Sequence, residues 1–229
     1  MSDPVSNINT DRLCLSHFLW NNSDHCEFFA KLETTLKVPN GRPYMDNARP
    51  LENAKRKLHR AYRINQSGEY CEGIYLISKN TSHKPSTSTD INNPTHNDQK
   101  SKAEQDMVMI GCISLTNWNH RIPIHSTELF ISILPEYQCQ EFATEAGQSL
   151  LQFVEQKYGL TEVFAFIHFN GCIGAARALL DKLGLQDKGT GRRYGLGGVI
   201  YATSRMNKET FMAQGSPIQY DENLMDLDA

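Results

Sequence analysis

Hydrophobic and polar residues alternate along several short stretches of the chain, which is the pattern of half-buried β-strands. A glycine-punctuated pair of similar stretches extends to about residue 203. The pattern therefore predicts a protein that is built around a β-sheet. The earlier predicted strands span residues 12–18, 73–79, 107–118, 127–134 and 162–169.

Helical periodicity predicts four helices among these strands. Ser23 and Asp24 can cap a first helix that ends near Leu36, and a basic second helix follows the turn-rich segment around Pro50. Two further helices span about residues 141–158 and 172–183. The helices come first, a meander of strands follows, and a β–α–β–α–β order comes last. This order predicts an α+β fold. We expect a central, mixed, twisted sheet with helices on both faces.

Three segments lack the apolar residues that a folded core requires. Residues 80–106 carry almost no apolar side chain, so burial cannot offset the entropy of ordering them. We interpret them as a disordered insertion between two strands. Residues 1–9 are polar and are expected to form a flexible N-terminus, and residues 204–229 an acidic C-terminal tail. A single domain is thus expected over residues 10–203.

Composition narrows the possible partners and the location. Charged residues make up 21% of the 229-residue chain and the formal net charge is −3, so no basic stripe predicts nucleic-acid binding. The six cysteines show no metal-binding spacing, so we expect no metal. No secretory signal precedes the first strand, and no apolar run approaches the ~20 residues that span a bilayer. We therefore expect a cytoplasmic protein with no membrane partner, and the sequence leaves its oligomeric state open.

The segment ELFISILPEYQCQEFATEAGQSLLQFVEQKYGL, which begins at Glu128, resembles the core of the GNAT acetyltransferases. The resemblance is to the branch that acetylates ribosomal-protein N-termini, and the motif PEYQ…FATEA is its most specific part. It extends over residues 10–203 apart from the insertion. It implies a GNAT fold in which the pyrophosphate of coenzyme A binds the free N–H groups at the N-terminus of a helix.

Two segments depart from the pattern that this resemblance implies. The family turn reads Gln/Arg-x-x-Gly-x-Gly/Ala, but Glu141 stands at the glycine position and Cys139 where this branch usually has glycine. A carboxylate about 4 Å from a phosphate would repel it by on the order of several kcal/mol at an effective dielectric near 20. In the next helix, Ile173 and Ala176 replace the family's Asn-x-x-Ser. These departures predict a degenerate acetyl-CoA site.

The hypothesis that follows is an enzyme that has kept the scaffold and works without a cofactor. An emptied cofactor channel would hold an apolar small molecule and support cyclisation, cycloaddition, isomerisation or dehydration, as in natural-product biosynthesis. The candidate catalytic residues are Glu141, Glu128, His168 and Tyr137. The candidate substrate-binding residues are Ile131, Ile133, Cys139, Phe142 and Ile173.

Two other functions remain open at this point. The chain could be an acetyl-CoA-dependent N-acetyltransferase with a divergent turn, or a binding module that keeps only the fold. If coenzyme A binds, the resemblance assigns its contacts to Leu134, Gln138, Ala143 and Thr144. Purely structural roles stay open too, because an acid such as Glu141 stabilises a helix N-terminus without any cofactor.

Overall fold

The structure is a computed structural model that describes only part of the chain, in several ranges. Most of the predicted insertion over residues 80–106 and most of both predicted termini lie outside the described residues. The described residues are 7–35, 49–66, 73–81, 107–117, 127–169, 173–193, 196–204, 206 and 218–220.

The helices and most strands lie within one or two residues of the predicted positions. The helices are α1 (Ser23–Thr35), α2 (Pro50–Gln66), α3 (Phe142–Tyr158) and α4 (Ile173–Lys182), and a short 3-10 helix spans Pro135–Tyr137. The strands are β1 (Ile8–Asn9), β2 (Leu13–His17), β3 (Gly73–Asn80), β4 (Met107–Asn117), β5 (Thr127–Ile133), β6 (Val163–His168), β7 (Gln186–Arg193), β8 (Leu196–Ala202) and β9 (Ile218–Tyr220).

The strands of the described chain form one nine-stranded sheet in the order β1-β2-β3-β4-β5-β6-β8-β7-β9. All neighbouring strands are antiparallel except β5 and β6, which are parallel. The sheet is therefore mixed, which confirms the predicted fold class. The strands β1 and β9 fall inside segments that the sequence assigned to the termini.

Helices pack on both faces of the sheet, as predicted. Side chains alternate along each strand, so neighbours such as Tyr75 and Leu76 point to opposite faces. Leu76 and its register partner Cys112 pack with residues of α1 and α2, whereas Tyr75 and its partner Ile113 belong to the larger core that includes residues of α3 and α4. No helix in the described ranges is long and apolar enough to cross a membrane.

The strands β5 and β6 pair only where they begin. Thr127 pairs with Val163 and Glu128 with Phe164, and no further pair joins the two strands in the part of the chain that is described. Meanwhile β5 stays paired with β4 up to Ile133, and β6 stays paired with β8 up to His168. The two strands therefore diverge beyond Glu128, which opens a cleft in the middle of the sheet.

Candidate active site

A turn of residues 138–141 leads from the cleft into α3. The side chain of Gln138 donates to the carbonyl of Ile133 at 2.9 Å, and that of Gln140 donates to the carbonyl of Glu136 at 3.1 Å. Cys139 and Glu141 adopt positive φ values of 58° and 64°, in the left-handed region that favours glycine. The turn thus keeps a glycine-like backbone although its side chains are not glycine, at a cost on the order of 1 kcal/mol per residue.

The turn and the first residues of α3 carry free backbone donors. None of the hydrogen bonds among the described residues uses the backbone N–H groups of residues 139–144 as donors. The N-terminal end of a 17-residue helix also carries a partial positive charge. The arrangement is therefore suited to an anion such as a pyrophosphate.

The carboxylate of Glu141 has its own partners beside these donors. Its Oε1 lies 2.7 Å from Nζ of Lys182 on α4, and its Oε2 accepts a hydrogen bond from Thr144 Oγ1 at 3.0 Å. The hydrogen bonds from Lys182 and then Thr144 lower the pKa of Glu141. The side chain makes no capping bond to the helix N–H groups. Its charge is thus paired with an ammonium, which weakens the predicted repulsion of a phosphate.

A second acid in the first turn of α3 is paired as well. Glu145 accepts hydrogen bonds from Arg12 Nε at 2.7 Å and from Thr10 Oγ1 at 2.5 Å. Burial alone would raise the pKa of Glu145, but the bonds from Thr10 and Arg12 outweigh it and hold the pKa below its usual value. The guanidinium of Arg12 and the ammonium of Lys79 also lie over the Phe142 ring, at 4.7 and 5.3 Å from its centre. Cations therefore gather around the start of α3.

The sheet face away from α3 carries the polar residues of the cleft. Glu128 of β5 is buried, with 8% of its surface exposed, and its Oε1 lies 2.5 Å from Nη1 of Arg193 on β7. Ser132 lies on the same face of β5, beyond the point where the strands diverge. Its buried hydroxyl has no hydrogen-bond partner in the described part of the chain. A buried ion pair and a buried hydroxyl thus lie on one face of the strand that borders the cleft.

His168 lies on the other strand of the cleft. Its ring packs edge-to-face on Phe166 at a centroid distance of 4.9 Å, and its buried Nδ1 has no hydrogen-bond partner within the described ranges. Burial lowers the pKa of His168, and the positive charge of Arg193 lowers it further. The imidazole is therefore neutral at neutral pH.

The remaining candidate residues are distributed between the core and the turn. Tyr137 is half-buried between two apolar clusters, Cys139 is exposed in the turn, and the N–H of Leu134 donates to the carbonyl of Ile110 at 2.9 Å. Ala143 packs against the larger core. Four predicted substrate-binding residues lie in or against that core, on the α3 side of the sheet: Ile131, Ile133, Phe142 and Ile173.

The structure brings Glu128 and His168 to one face of the sheet, whereas Glu141 precedes the helix that packs on the opposite face. It thus separates Glu128 and His168 from Glu141, and Tyr137 packs against both apolar clusters. The sequence reasoning missed Arg193, Lys182 and Arg12, because their partners are 65, 41 and 133 residues away in the chain. The catalytic and binding roles themselves stay predictions.

A family model described as an acetyltransferase (GNAT) domain matches residues 12–186, and the chain belongs to this family. The fold resembles the ribosomal-protein-S5-alanine acetyltransferase from Vibrio fischeri, with 13% identity, a TM-score of 0.60 and coverage of 89% of this chain and 98% of that chain. An acetyltransferase of the GNAT family from Bacillus anthracis is similar, with 14% identity, a TM-score of 0.56 and coverage of 86% and 97%. The comparison with curated proteins gave no match.

A third similar structure corrects one expectation. It is a ribosomal L7/L12 alpha-N-protein acetyltransferase in complex with coenzyme A, with 14% identity, a TM-score of 0.58 and coverage of 86% of this chain and 97% of that chain. Together with the family assignment, this complex makes the expectation of no cofactor wrong. The physical reason is that Glu141 and Glu145 are both paired with cations, so the free N–H groups of the turn remain suited to a pyrophosphate.

Proposed function

We propose that the protein is an acetyl-CoA-dependent N-acetyltransferase. The observation that carries the proposal is the free backbone donors of residues 139–144, which lie at the start of α3 beside the cleft between β5 and β6. An anion site next to a gap between diverging strands is what a nucleotide-containing thioester needs. The family to which the chain belongs supports the same reaction class.

The turn residues would hold the cofactor through their backbone. The N–H groups of residues 139–144 would bind the pyrophosphate, and the positive end of α3 would favour its charge. Gln138 would act indirectly, because its side-chain amide is already used to fix the turn to Ile133. Thr144 would act in a similar way through its bond to Glu141.

Bound acetyl-CoA would supply the thioester carbonyl that an amine attacks, together with a thiolate leaving group. Glu128 is the residue best placed to prepare that amine. Its buried carboxylate attracts an acceptor ammonium, which loses a first proton to solvent to become a neutral amine. The carboxylate then takes up the second proton, which the nitrogen loses as it attacks the thioester and the thiolate leaves. His168, on the same face of the neighbouring strand, stays neutral, so it adds no positive charge that would repel the ammonium.

The exposed apolar side chains on the same part of the sheet indicate what flanks the acceptor amine. Phe130 of β5 and Leu196 of β8 are 47% and 39% exposed. Both lie on the sheet face that carries Glu128, since side chains two residues apart share a face and Leu196 pairs with Arg193. We therefore propose an acceptor whose primary amine is followed by an apolar group.

The test is a binding and transfer assay with purified protein. Calorimetry should show that coenzyme A binds, and release of free thiol from acetyl-CoA should depend on an added primary amine, for which short peptide amides and polyamines are the first probes. Glu128→Gln should lower transfer by about 10²-fold at an unchanged affinity for coenzyme A. Absence of binding at millimolar coenzyme A, or full activity of Glu128→Gln, would overturn the proposal.

Cofactor-independent chemistry has no comparable support. The apolar residues that were expected to line a substrate pocket include Phe142 and Ile173, which are 3% and 6% exposed within the larger core. A small molecule could reach them only by displacing packed side chains. The proposed acetyl transfer needs no such rearrangement, because the cleft is already formed by the divergence of β5 and β6.

A further inference from the structure

The ion pair between Glu128 and Arg193 connects strands that are not neighbours. Two strands, β6 and β8, lie between β5 and β7 in the sheet, and the two residues are 65 positions apart in the chain. Both side chains are almost completely buried, with 10% of the Glu128 side chain and 12% of the Arg193 side chain exposed. The side chains of Glu128 and Arg193 therefore meet across β6 and β8 on the face of the sheet that they share.

Burial makes this ion pair costly in free energy, because both charged groups lose their hydration. A carboxylate taken out of water protonates unless a cation or hydrogen bonds stabilise its charge. The described groups that can carry charge on this face of β4 to β8 include Cys112, Glu128, His168 and Arg193, together with Lys188, which bonds to Gln186. The helices that cover the face add the paired Glu33 and Lys57. Burial raises the pKa of the Cys112 thiol to about 12, so that group is neutral. Arg193 is the cation whose contact with Glu128 the described residues show.

We infer that Arg193 is a positioning residue for acetyl transfer, which holds the Glu128 carboxylate ionised and in place at the point where β5 and β6 begin to diverge. The inference rests on the proposed function, in which Glu128 receives the acceptor amine. Loss of the guanidinium would raise the pH at which the buried Glu128 becomes protonated, and a protonated Glu128 could neither attract an ammonium nor accept its proton. Arg193 reaches no reacting atom itself in this role; it acts through the carboxylate.

The first experiment measures protonation without any substrate. Two-dimensional NMR follows the titration of His168 in the wild type, Arg193→Met, Arg193→Lys and Glu128→Gln. Loss of the cation should move the His168 midpoint to higher pH, whereas Glu128→Gln should move it to lower pH, because it removes the negative charge and leaves the positive one. Arg193→Lys should stay near the wild type. His17 on β2 serves as the internal reference and should not move.

The second experiment measures the pH dependence of kcat/KM for transfer to the best amine probe from the assay above. In Arg193→Met the acidic limb should move to higher pH, and kcat/KM at pH 7 should fall about tenfold or more, with partial recovery in Arg193→Lys. KM for acetyl-CoA should stay unchanged. Arg192→Met is the matched control, because this neighbouring arginine is exposed and its register partner, Gly197, lies on the other face of β8.

The two experiments separate the failure of this inference from the failure of the proposed function. If no amine is acetylated but the His168 midpoint moves in opposite directions in the two variants, the charge pairing stands and the reaction is wrong. If transfer occurs but Arg193→Met leaves both the His168 midpoint and the acidic limb unchanged, Arg193 is not a positioning residue. Should Arg193→Met fail to fold, Arg193→Gln, which also removes the positive charge, takes its place in both experiments.

Discussion

Glu141 and Lys182 are 41 residues apart in the chain, and their ion pair joins the start of α3 to the end of α4. Both side chains are more than half exposed, so water screens the pair and the pair itself contributes little to stability. Its effect on a bound anion is different. The ammonium of Lys182 cancels a negative charge directly beside the free N–H groups of the turn, and so it decides whether that end of α3 attracts or repels a phosphate.

This pairing predicts a non-additive response to mutation. Lys182→Met should weaken coenzyme A binding about fivefold, because it leaves the Glu141 charge uncompensated. Glu141→Gln should have a smaller effect, and the double variant should bind nearly as well as the wild type. Calorimetry at low salt measures the three affinities, and raising the salt should shrink the differences. Equal weakening in Lys182→Met and the double variant would contradict the explanation.

Among the secondary-structure elements, the neighbouring strands β4 and β5 leave no room for a Cβ atom at one glycine. A Cβ on Gly111 would lie 2.3 Å from the carbonyl oxygen of Ser132, a backbone atom that cannot move aside. Gly111 and Ile133 are register partners near the end of β5 that leads into the turn. The glycine thus allows β4 to hold β5 close on one side while β6 diverges on the other.

The close approach predicts opposite effects for two glycine substitutions. Gly111→Ala should destabilise the fold by about 2 kcal/mol, because the strands must separate or bend. Gly174→Ala is the control, since a Cβ there has no atom within 4 Å and alanine favours helix by up to about 1 kcal/mol. Urea unfolding of both variants measures the difference. A Gly111→Ala protein as stable as the wild type would show that the sheet is more adaptable than we infer.

The hairpin of β3 and β4 is closed by pairing at its end. Asn80 pairs with Met107, so the segment between these residues starts and finishes at adjacent points. Replacement of residues 82–105 by a short Gly/Ser linker should therefore leave the melting temperature and coenzyme A binding nearly unchanged. Thermal unfolding and calorimetry check this, and a loss of binding alone would assign the segment a role at the active site.

The elements could be predicted well wherever they are long enough to show a period. Helix α3 and strand β5 were predicted within a residue or so, because a 17-residue helix and a seven-residue strand each repeat their pattern. The strands β1 and β9 have only two and three residues and show no period. Glu128 could be proposed from its place on a strand, but its pairing with Arg193 depends on strand order, which no local pattern contains.

For the molecule as a whole, half-buried histidines contribute to how stability depends on pH. Burial, with a smaller contribution from the charge of Lys157, lowers the pKa of His17 from 6.5 to about 4. Its ring lies 4.3 Å from that of Tyr75. A histidine with a lowered pKa in the folded state binds its proton more readily when unfolded. Its contribution to stability is therefore complete above pH 6.5 and is lost as the pH falls towards 4.

The size of this loss follows from the shift. His17 alone should cost up to about 3 kcal/mol of unfolding free energy between pH 6.5 and 4. His17→Phe should keep the ring against Tyr75 and flatten the pH dependence by that amount. Urea unfolding at pH 7 and pH 4.5 measures the change, with the exposed His59→Gln as the control variant. If the unfolding free energy of His17→Phe falls between pH 7 and pH 4.5 as much as that of the wild type, groups other than His17 cause the pH dependence.

The divergence of β5 and β6 also gives the sheet a line along which it can tear. Two residue pairs join five strands on one side to four strands on the other, in the chain as described. A force that pulls the two halves apart would break these pairs one after the other, in an unzipping geometry. A shear force within either half would be shared by many hydrogen bonds. A molecule that lies in the gap and forms hydrogen bonds with both strands would cross-link the two halves. The force needed to part the halves should therefore rise when that molecule is bound.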